Sequence, residues 1–229
     1  DSVASKVTRT GFLYALSRWQ ALERAGHAFG RTSQGLLQIA DDDEQAQALT
    51  DAIAAHGYPS ELVVAASDAQ ARALAGVPVA RAGWWYPQGG SLDPSALCGA
   101  LCADAADAIA WRTGVEARHL AREGNAWSVT AGTGDIIARA PVVVFANARD
   151  AARLSGSRYA PTRIVRGQLT RLAPGAAPGL RLPLVGDGYA IPLIDGLVTG
   201  ATYDVDDAGE EVRVESHAEN LGRLARLIP

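Results

Sequence analysis

The 229-residue sequence contains no methionine, only two cysteines and almost no lysine, so that its positive charge is carried by arginine. A chain with no methionine at its start reads as an internal piece of a longer protein. Cys98 and Cys102 stand four apart on a predicted helix and share a face, but no further cysteine completes a zinc set. They read as small core residues. No apolar run approaches the roughly 18 residues of a spanning helix, and residues 1–6 lack the basic and apolar regions of a signal peptide. A cytoplasmic protein without a membrane partner is expected. The net charge of −4 excludes a strongly basic nucleic-acid coat, yet leaves room for a local basic patch.

Several chemical signatures are missing as well. There is no G-x-S-x-G nucleophile turn, no paired His-x-x-x-His and no G-x-x-x-x-G-K phosphate loop. His27, His56, His119 and His217 share no spacing that suggests a site and read as surface or capping residues, and no metal site is expected. A strand followed by G-x-G-x-x-G, which would seat a dinucleotide pyrophosphate on a helix N-terminus, is also lacking.

What is present is a 48% hydrophobic chain with enough apolar material for a real core. Its organising stretch is residues 83–94. Val79 to Tyr86 reads as a buried strand ending in the aromatic run Trp84-Trp85-Tyr86, Pro87 stops the ladder, Gly89-Gly90 allow a tight turn, and Asp93-Pro94 place an N-cap before proline at the first helical position. Before it, Phe12, Leu13, Leu16, Trp19 and Leu22 predict a helix over residues 7–25. A strand at 35–40, an acid-capped helix to His56, a strand at 62–66 and a capping box at Ser67–Gln70 follow. A helix from Pro94 to about Ala110 and short strands at 114–121, 126–131 and 136–139 come next. Pro141-Val142-Val143-Val144-Phe145-Ala146-Asn147-Ala148 lacks alternation and predicts a parallel strand buried on both faces. Strands at 162–172, 184–185, 189–193 and 197–202, a turn at Ile194-Asp195-Gly196 and a helix over 215–228 complete the reading.

One stretch is basic. Arg149, Arg153, Arg158, Arg163, Arg166 and Arg171 stand against the single acid Asp150. This is either an ordinary solvated surface or a patch for RNA phosphates, which arginine engages in a bidentate manner.

The order of the pieces carries a resemblance. Tyr86-Pro87-Gln88-Gly89-Gly90, the helix after Asp93-Pro94, the strand start at Gly114-Val115, the 142–148 run, Arg166-Gly167-Gln168 and 186-GDGYAIP-192 follow one another as in the D-amino-acid and glycine oxidase superfamily of FAD oxidoreductases. Within it, residues 12–19, 86–90 and 187–204 most resemble the oxidase domain of the enzymes that mature the tRNA wobble uridine. The resemblance implies an α+β fold: a mixed-sheet substrate domain made of residues 1–92 and 156–229, with residues 93–155 as the middle part of a discontinuous FAD-binding domain. It further implies that the dinucleotide fingerprint precedes residue 1 and that the carboxylate-binding arginines lie beyond residue 229.

By the same resemblance, Tyr189 orients the substrate carboxylate, with Gln88 beside it in the catalytic set. Gly89, Gly90, Val115, Ala146, Asn147 and Ala148 contact FAD, with Ala148 standing where the family commonly has glycine. Arg153, Arg158, Arg163, Arg166 and Gln168 meet substrate or RNA, and Leu193 replaces a family arginine. The implied activity is oxidation of the C–N bond of a carboxymethylaminomethyl group on wobble uridine, giving glyoxylate and an aminomethyl base. tRNA is the implied partner and a fused methyltransferase a possible neighbour. A small-amine oxidase acting on glycine or sarcosine, and a non-catalytic RNA-binding fragment, remain alternatives.

Overall fold

A computed structural model describes residues 2–156 and 163–229. The chain divides into two compact units, residues 1–106, 167–203 and 211–229 in the larger and residues 107–166 and 204–210 in the smaller. The mixture of helices with one mixed sheet is the α+β arrangement that the sequence predicts.

The larger unit begins with helix α1 (Val3–Arg24), whose N-cap Ser2 accepts the Ser5 N–H through its hydroxyl. Leu22 of α1 packs with Phe29 and with Ala100 of helix α4 (Pro94–Asp104), closing a small apolar cluster with Trp19, Leu92 and Leu97. Pro94 opens α4 as expected, and Asp93 Oδ1 accepts from the Ser95 and Ala96 N–H groups at 2.8 and 3.0 Å. Residues 96, 97 and 100 form the buried side of α4. Cys98 therefore projects the other way and is exposed, while Cys102 is half-buried; both are free thiols, and the expectation of two core residues is corrected.

Seven strands make the sheet: β1 (Leu36–Ile39), β2 (Val64–Ala66), β3 (Gly83–Tyr86), β8 (Thr170–Leu172), β9 (Leu184–Gly186), β10 (Gly188–Leu193) and β11 (Gly196–Gly200), in the spatial order β2-β3-β1-β9-β10-β11-β8. Only β1 and β9 run parallel; every other neighbouring pair is antiparallel. Because side chains alternate across a strand, the sheet has two distinct faces. Leu37, Ile39, Leu184, Ala190 and Leu197 lie on one, packed with Ala71 and Ala75 of α3 (Asp68–Ala75) and Leu227 of α6 (Val214–Leu227). Burial of each leucine or isoleucine there contributes roughly 1.5–3 kcal/mol. The predicted capping box is formed in α3, with Ser67 and Gln70 satisfying each other's backbone N–H groups, and Gly57 and Gly76 end α2 (Asp43–His56) and α3 in the left-handed conformation.

The smaller unit is built on the meander β4 (Ala117–Glu123), β5 (Ala126–Ala131) and β6 (Ile136–Ala140), with helix α5 (Ala151–Ser155) against β4. A second ladder pairs β7 (Val165–Arg166) with β12 (Asp204–Val205). The predicted strand over 162–172 is thus two short strands in different sheets, interrupted at 167–169, and its first residue lies outside the described ones. The run over 141–148 is a correction. It forms no strand, and Val142 and Val144 are 71% and 82% exposed. A strand covered on both faces needs neighbours to supply hydrogen bonds and apolar contact, and among the described residues no strand pairs with this run.

Candidate functional site

The sheet face opposite the α3–α6 core carries the site. Register places Ala65, Trp84, Gln38, Val185, Tyr189 and Gly200 in one cross-strand row, each directly beside the next. Tyr86 and Leu36 lie two residues along β3 and β1 on the same face. Above the Trp84–Gln38–Val185 part of this row opens a cavity of about 760 Å³, with Trp84, Tyr86, Gln38, Leu36 and Val185 from the sheet and Phe12 of α1 and Ile53 of α2 among its walls. Arg9 of α1 also lines it, its guanidinium 5.7 Å from the centre of the Tyr58 ring.

Two phenols give this face its polar chemistry. The Tyr86 hydroxyl donates to Gln38 Oε1 at 3.2 Å. The Tyr189 hydroxyl makes no hydrogen bond among the described residues and extends toward β11, where a β-carbon added to Gly200 would stand 3.5 Å from it. Burial pushes both phenols above their ordinary value of 10.0, so each remains a neutral donor into the alkaline range. The protonated form is favoured by folding. The corresponding stability is therefore complete below pH 10 and is lost as pH rises through the raised folded values. Thermal unfolding followed from pH 9 to pH 11 should show a falling midpoint, with a smaller fall in Tyr86→Phe; equal falls in the two proteins would leave Tyr86 out of the effect.

The glycines of the 83–94 stretch meet the chain's own backbone. A β-carbon on Gly90 would lie 2.0 Å from the Thr32 carbonyl oxygen, and one on Gly89 2.7 Å from Leu36 Cβ. Gly89 also lines the cavity. Gln88 is exposed and donates through Nε2 to the Glu61 carbonyl at 3.2 Å, in a neighbouring cleft that it shares with Arg9 and His56. Gln168 is buried elsewhere: its side-chain amide donates to the Arg213 carbonyl at 2.8 Å and accepts the Arg213 N–H at 2.9 Å, tying the start of α6 to the sheet. His217, read from the sequence as a surface or capping residue, is instead half-buried in this region, with Nδ1 2.8 Å from Thr170 Oγ1.

The remaining expected site residues lie in the smaller unit. Val115 is 48% exposed, and Ala146, Asn147 and Ala148 are exposed on the unpaired run. Ala148 has φ +49°, the left-handed region that glycine occupies at no steric cost, which fits a position where glycine is expected.

The basic stretch changes character in space. Arg163 pairs with Asp206 through two contacts, at 3.0 and 3.4 Å, and Arg166, 8% exposed in its side chain, pairs with Asp204 at 3.1 Å. Arg171 pairs with Asp195, and Arg153 lies 3.5 Å from Asp150 and 4.0 Å from Glu116. The count of six arginines against one acid therefore describes the sequence, whereas the fold brings in four further carboxylates. Arg158 lies outside the described residues. Gln38 was not singled out from the sequence; its signal is a lone polar residue in the strand Leu36-Leu37-Gln38-Ile39.

No group of three or more histidine, cysteine or acidic side chains that could hold a metal ion occurs among the described residues. The profile of the family described as FAD dependent oxidoreductase matches residues 9–229. The tRNA 5-methylaminomethyl-2-thiouridine biosynthesis bifunctional protein of Paraburkholderia phytofirmans is 53% identical over all of this chain, and that of Burkholderia pseudomallei 50%. The chain spans 35% of the length of each. Among solved structures, glycine oxidase from Geobacillus kaustophilus superposes with a TM-score of 0.75 over 95% of this chain and 61% of its own, at 24% identity. Iminodiacetate oxidase from Chelativorans sp. BNC1 does so with a TM-score of 0.80 over 96% and 63%, at 19% identity. These two likenesses establish a shared fold.

Proposed function

The chain belongs to the FAD-dependent oxidoreductase family, and from that premise we propose that it is the substrate-binding part of a flavoenzyme that oxidises a carboxymethylaminomethyl group on tRNA wobble uridine. The observation that carries this reading is the sheet face on which Gln38 and Val185 line a cavity of about 760 Å³ and Tyr189 follows Val185 in the same cross-strand row, beside the cavity. That volume suits a nucleoside-sized ligand. The substrate's carboxylate is oriented by the Tyr189 hydroxyl, and the apolar walls around Phe12, Leu36 and Val185 exclude water from the reacting C–N bond. FAD, when bound, supplies the electron sink for that oxidation. Hydrolysis of the resulting substrate imine releases glyoxylate and leaves the aminomethyl base.

Residues 93–155 are assigned to the middle part of the cofactor domain and residues 1–92 and 156–229 to the substrate domain, a division by resemblance that differs from the compact units, where residues 93–106 belong to the larger unit and 156–166 and 204–210 to the smaller. The 141–146 run pairs with no strand and Ala146 and Ala148 carry small side chains, so the residues present fit a main-chain contact to an adenine ring, to which Val115 is also assigned. No helix among the described residues is long and apolar enough to cross a membrane. A cytoplasmic setting and a fused methyltransferase belong to the same proposal, since the relatives named above are bifunctional.

The test is an anaerobic flavin absorbance measurement on the full-length protein. tRNA bearing the carboxymethylaminomethyl group should bleach the flavin, and free glycine and sarcosine should leave it oxidised. Bleaching by the free amines alone would favour the small-amine oxidase, and a protein with no flavin would favour the RNA-binding module.

The arginines join this proposal with a reduced role, because phosphate must compete with the carboxylates that Arg153 and Arg163 already face. Two arginines that each engage one phosphate would together flatten the slope of log affinity against log salt by about 1.4–1.8 units. Changing Arg153 and Arg163 together to Ala is expected to flatten it by less than about one unit in a tRNA-binding titration. The full change would assign both residues to the RNA backbone.

A further inference from the structure

Among the polar residues that line the cavity, Gln38 and Tyr86 form a hydrogen-bonded pair that the oxidation itself does not use. We propose that Gln38, held in orientation by Tyr86, recognises the pyrimidine edge of the modified uracil; this rests on the function proposed above and names the contact that selects its substrate. Gln38 is the single polar residue of β1 and lies on the cavity side of the sheet. Its Oε1 accepts from the Tyr86 hydroxyl at 3.2 Å, and its Nε2 makes no hydrogen bond among the described residues. A primary amide anchored in this way keeps both N–H donors and one oxygen lone pair for a ligand.

Uracil offers the complement. Beside C5, which carries the reacting arm, stand the C4 carbonyl acceptor and then the ring N3–H donor. Gln38 Nε2 can donate to the carbonyl while Oε1, with its second lone pair, accepts from N3–H. A free amino acid presents no such edge.

Spacing supports the assignment. Gln38 and Tyr189 occupy the same row with Val185 of β9 between them, so their backbones are two strand spacings apart, roughly 9.6 Å. The Tyr189 hydroxyl reaches on toward β11, so the ring edge is placed at Gln38 and the side arm extends across Val185 toward Tyr189. The C–N bond to be oxidised then lies over Val185, where the sheet offers only an apolar side chain. The intervening wall makes no polar demand on the arm.

Steady-state kinetics of the full-length flavoprotein on an anticodon stem-loop carrying the modification tests the inference. Gln38→Leu removes both contacts and should raise KM roughly tenfold to a hundredfold with kcat within about twofold, the pattern of a lost ground-state contact. Gln38→Glu is close in shape, loses the donor and places a carboxylate against the C4 oxygen, so it should raise KM at least as much. Tyr86→Phe leaves the amide unanchored and should raise KM by about threefold to tenfold. The flavin absorbance spectrum and thermal midpoint report folding, so that if Gln38→Leu is not folded, Gln38→Glu and Tyr86→Phe decide. A folded Gln38→Glu protein with wild-type KM, or a loss confined to kcat, overturns the inference while leaving the oxidase reading intact. Wild-type protein that does not oxidise the stem-loop at all overturns both.

Discussion

Gly90→Val is expected to leave little folded protein, and the reason lies within the chain itself. The first atom added would stand 2.0 Å from the Thr32 carbonyl oxygen and 2.9 Å from its carbon. Thr32 cannot move away cheaply. Its N–H donates to the Ser91 carbonyl at 2.8 Å, its Oγ1 accepts the Ser91 N–H at 2.9 Å, and the two hydroxyls lie 3.1 Å apart. Relieving the overlap breaks this two-stranded clasp, so the cost should exceed the roughly 1–3 kcal/mol usual for overpacking and consume much of a typical stability of about 5–15 kcal/mol. Soluble yield and thermal denaturation read the outcome. Gly99→Ala in α4, where nothing stands within 4 Å of the added carbon, is the control and should stabilise by roughly 0.5–1 kcal/mol. A Gly90→Val protein that melts like wild type would refute the clasp, and one that melts normally without turnover would instead make Gly90 a cofactor contact.

Tyr189→Phe should act in the opposite manner, sparing the fold and lowering catalysis. The hydroxyl makes no hydrogen bond among the described residues, so its removal breaks nothing internal. A charge-assisted hydrogen bond to the substrate carboxylate is worth about 1.5–3 kcal/mol, which corresponds to a loss of roughly ten- to a hundredfold in kcat/KM. The thermal midpoint should be unchanged. Full efficiency in the variant would reduce Tyr189 to a packed aromatic and move carboxylate recognition off this sheet face.

The features that the sequence made legible are those whose causes are local. Ser67 and Gln70 close their capping box within one turn, Asp93 and Pro94 start α4, and Ile194-Asp195 turn the β10–β11 hairpin, each through neighbours a few residues away. What depended on distant segments was not legible. Val142, Val143 and Val144 have the composition of a buried strand, but composition does not supply the flanking strands that burial requires. Cys98 shares a helix face with Cys102, and only the packing of Ala100 against Leu22 decides that this face is not the buried one. Charge counted along residues 149–171 missed Asp195, Asp204, Asp206 and Glu116, which other segments deliver.

The site divides in the same way. Tyr189 was visible through the motif around it, and Gly89 and Gly90 through turn chemistry, although the atoms that forbid their side chains belong to Thr32 and Leu36. Gln38 was hidden, because a glutamine in a four-residue strand becomes informative only when register sets it beside Trp84 and Val185 and a tyrosine 48 residues away donates to it.

The central claim is that the full-length protein carries out C–N oxidation on a modified tRNA base held against this sheet face. The measurement that tests it most directly is single-turnover product analysis, in which flavoprotein is mixed with tRNA bearing carboxymethylaminomethyl-uridine, the nucleosides are identified by mass spectrometry and glyoxylate is quantified in the same sample. The account predicts one glyoxylate released for each base converted to aminomethyluridine, with both products falling together in Tyr189→Phe and Gln38→Leu at subsaturating tRNA. Unchanged carboxymethylaminomethyl-uridine in the presence of a reducible bound flavin would contradict it.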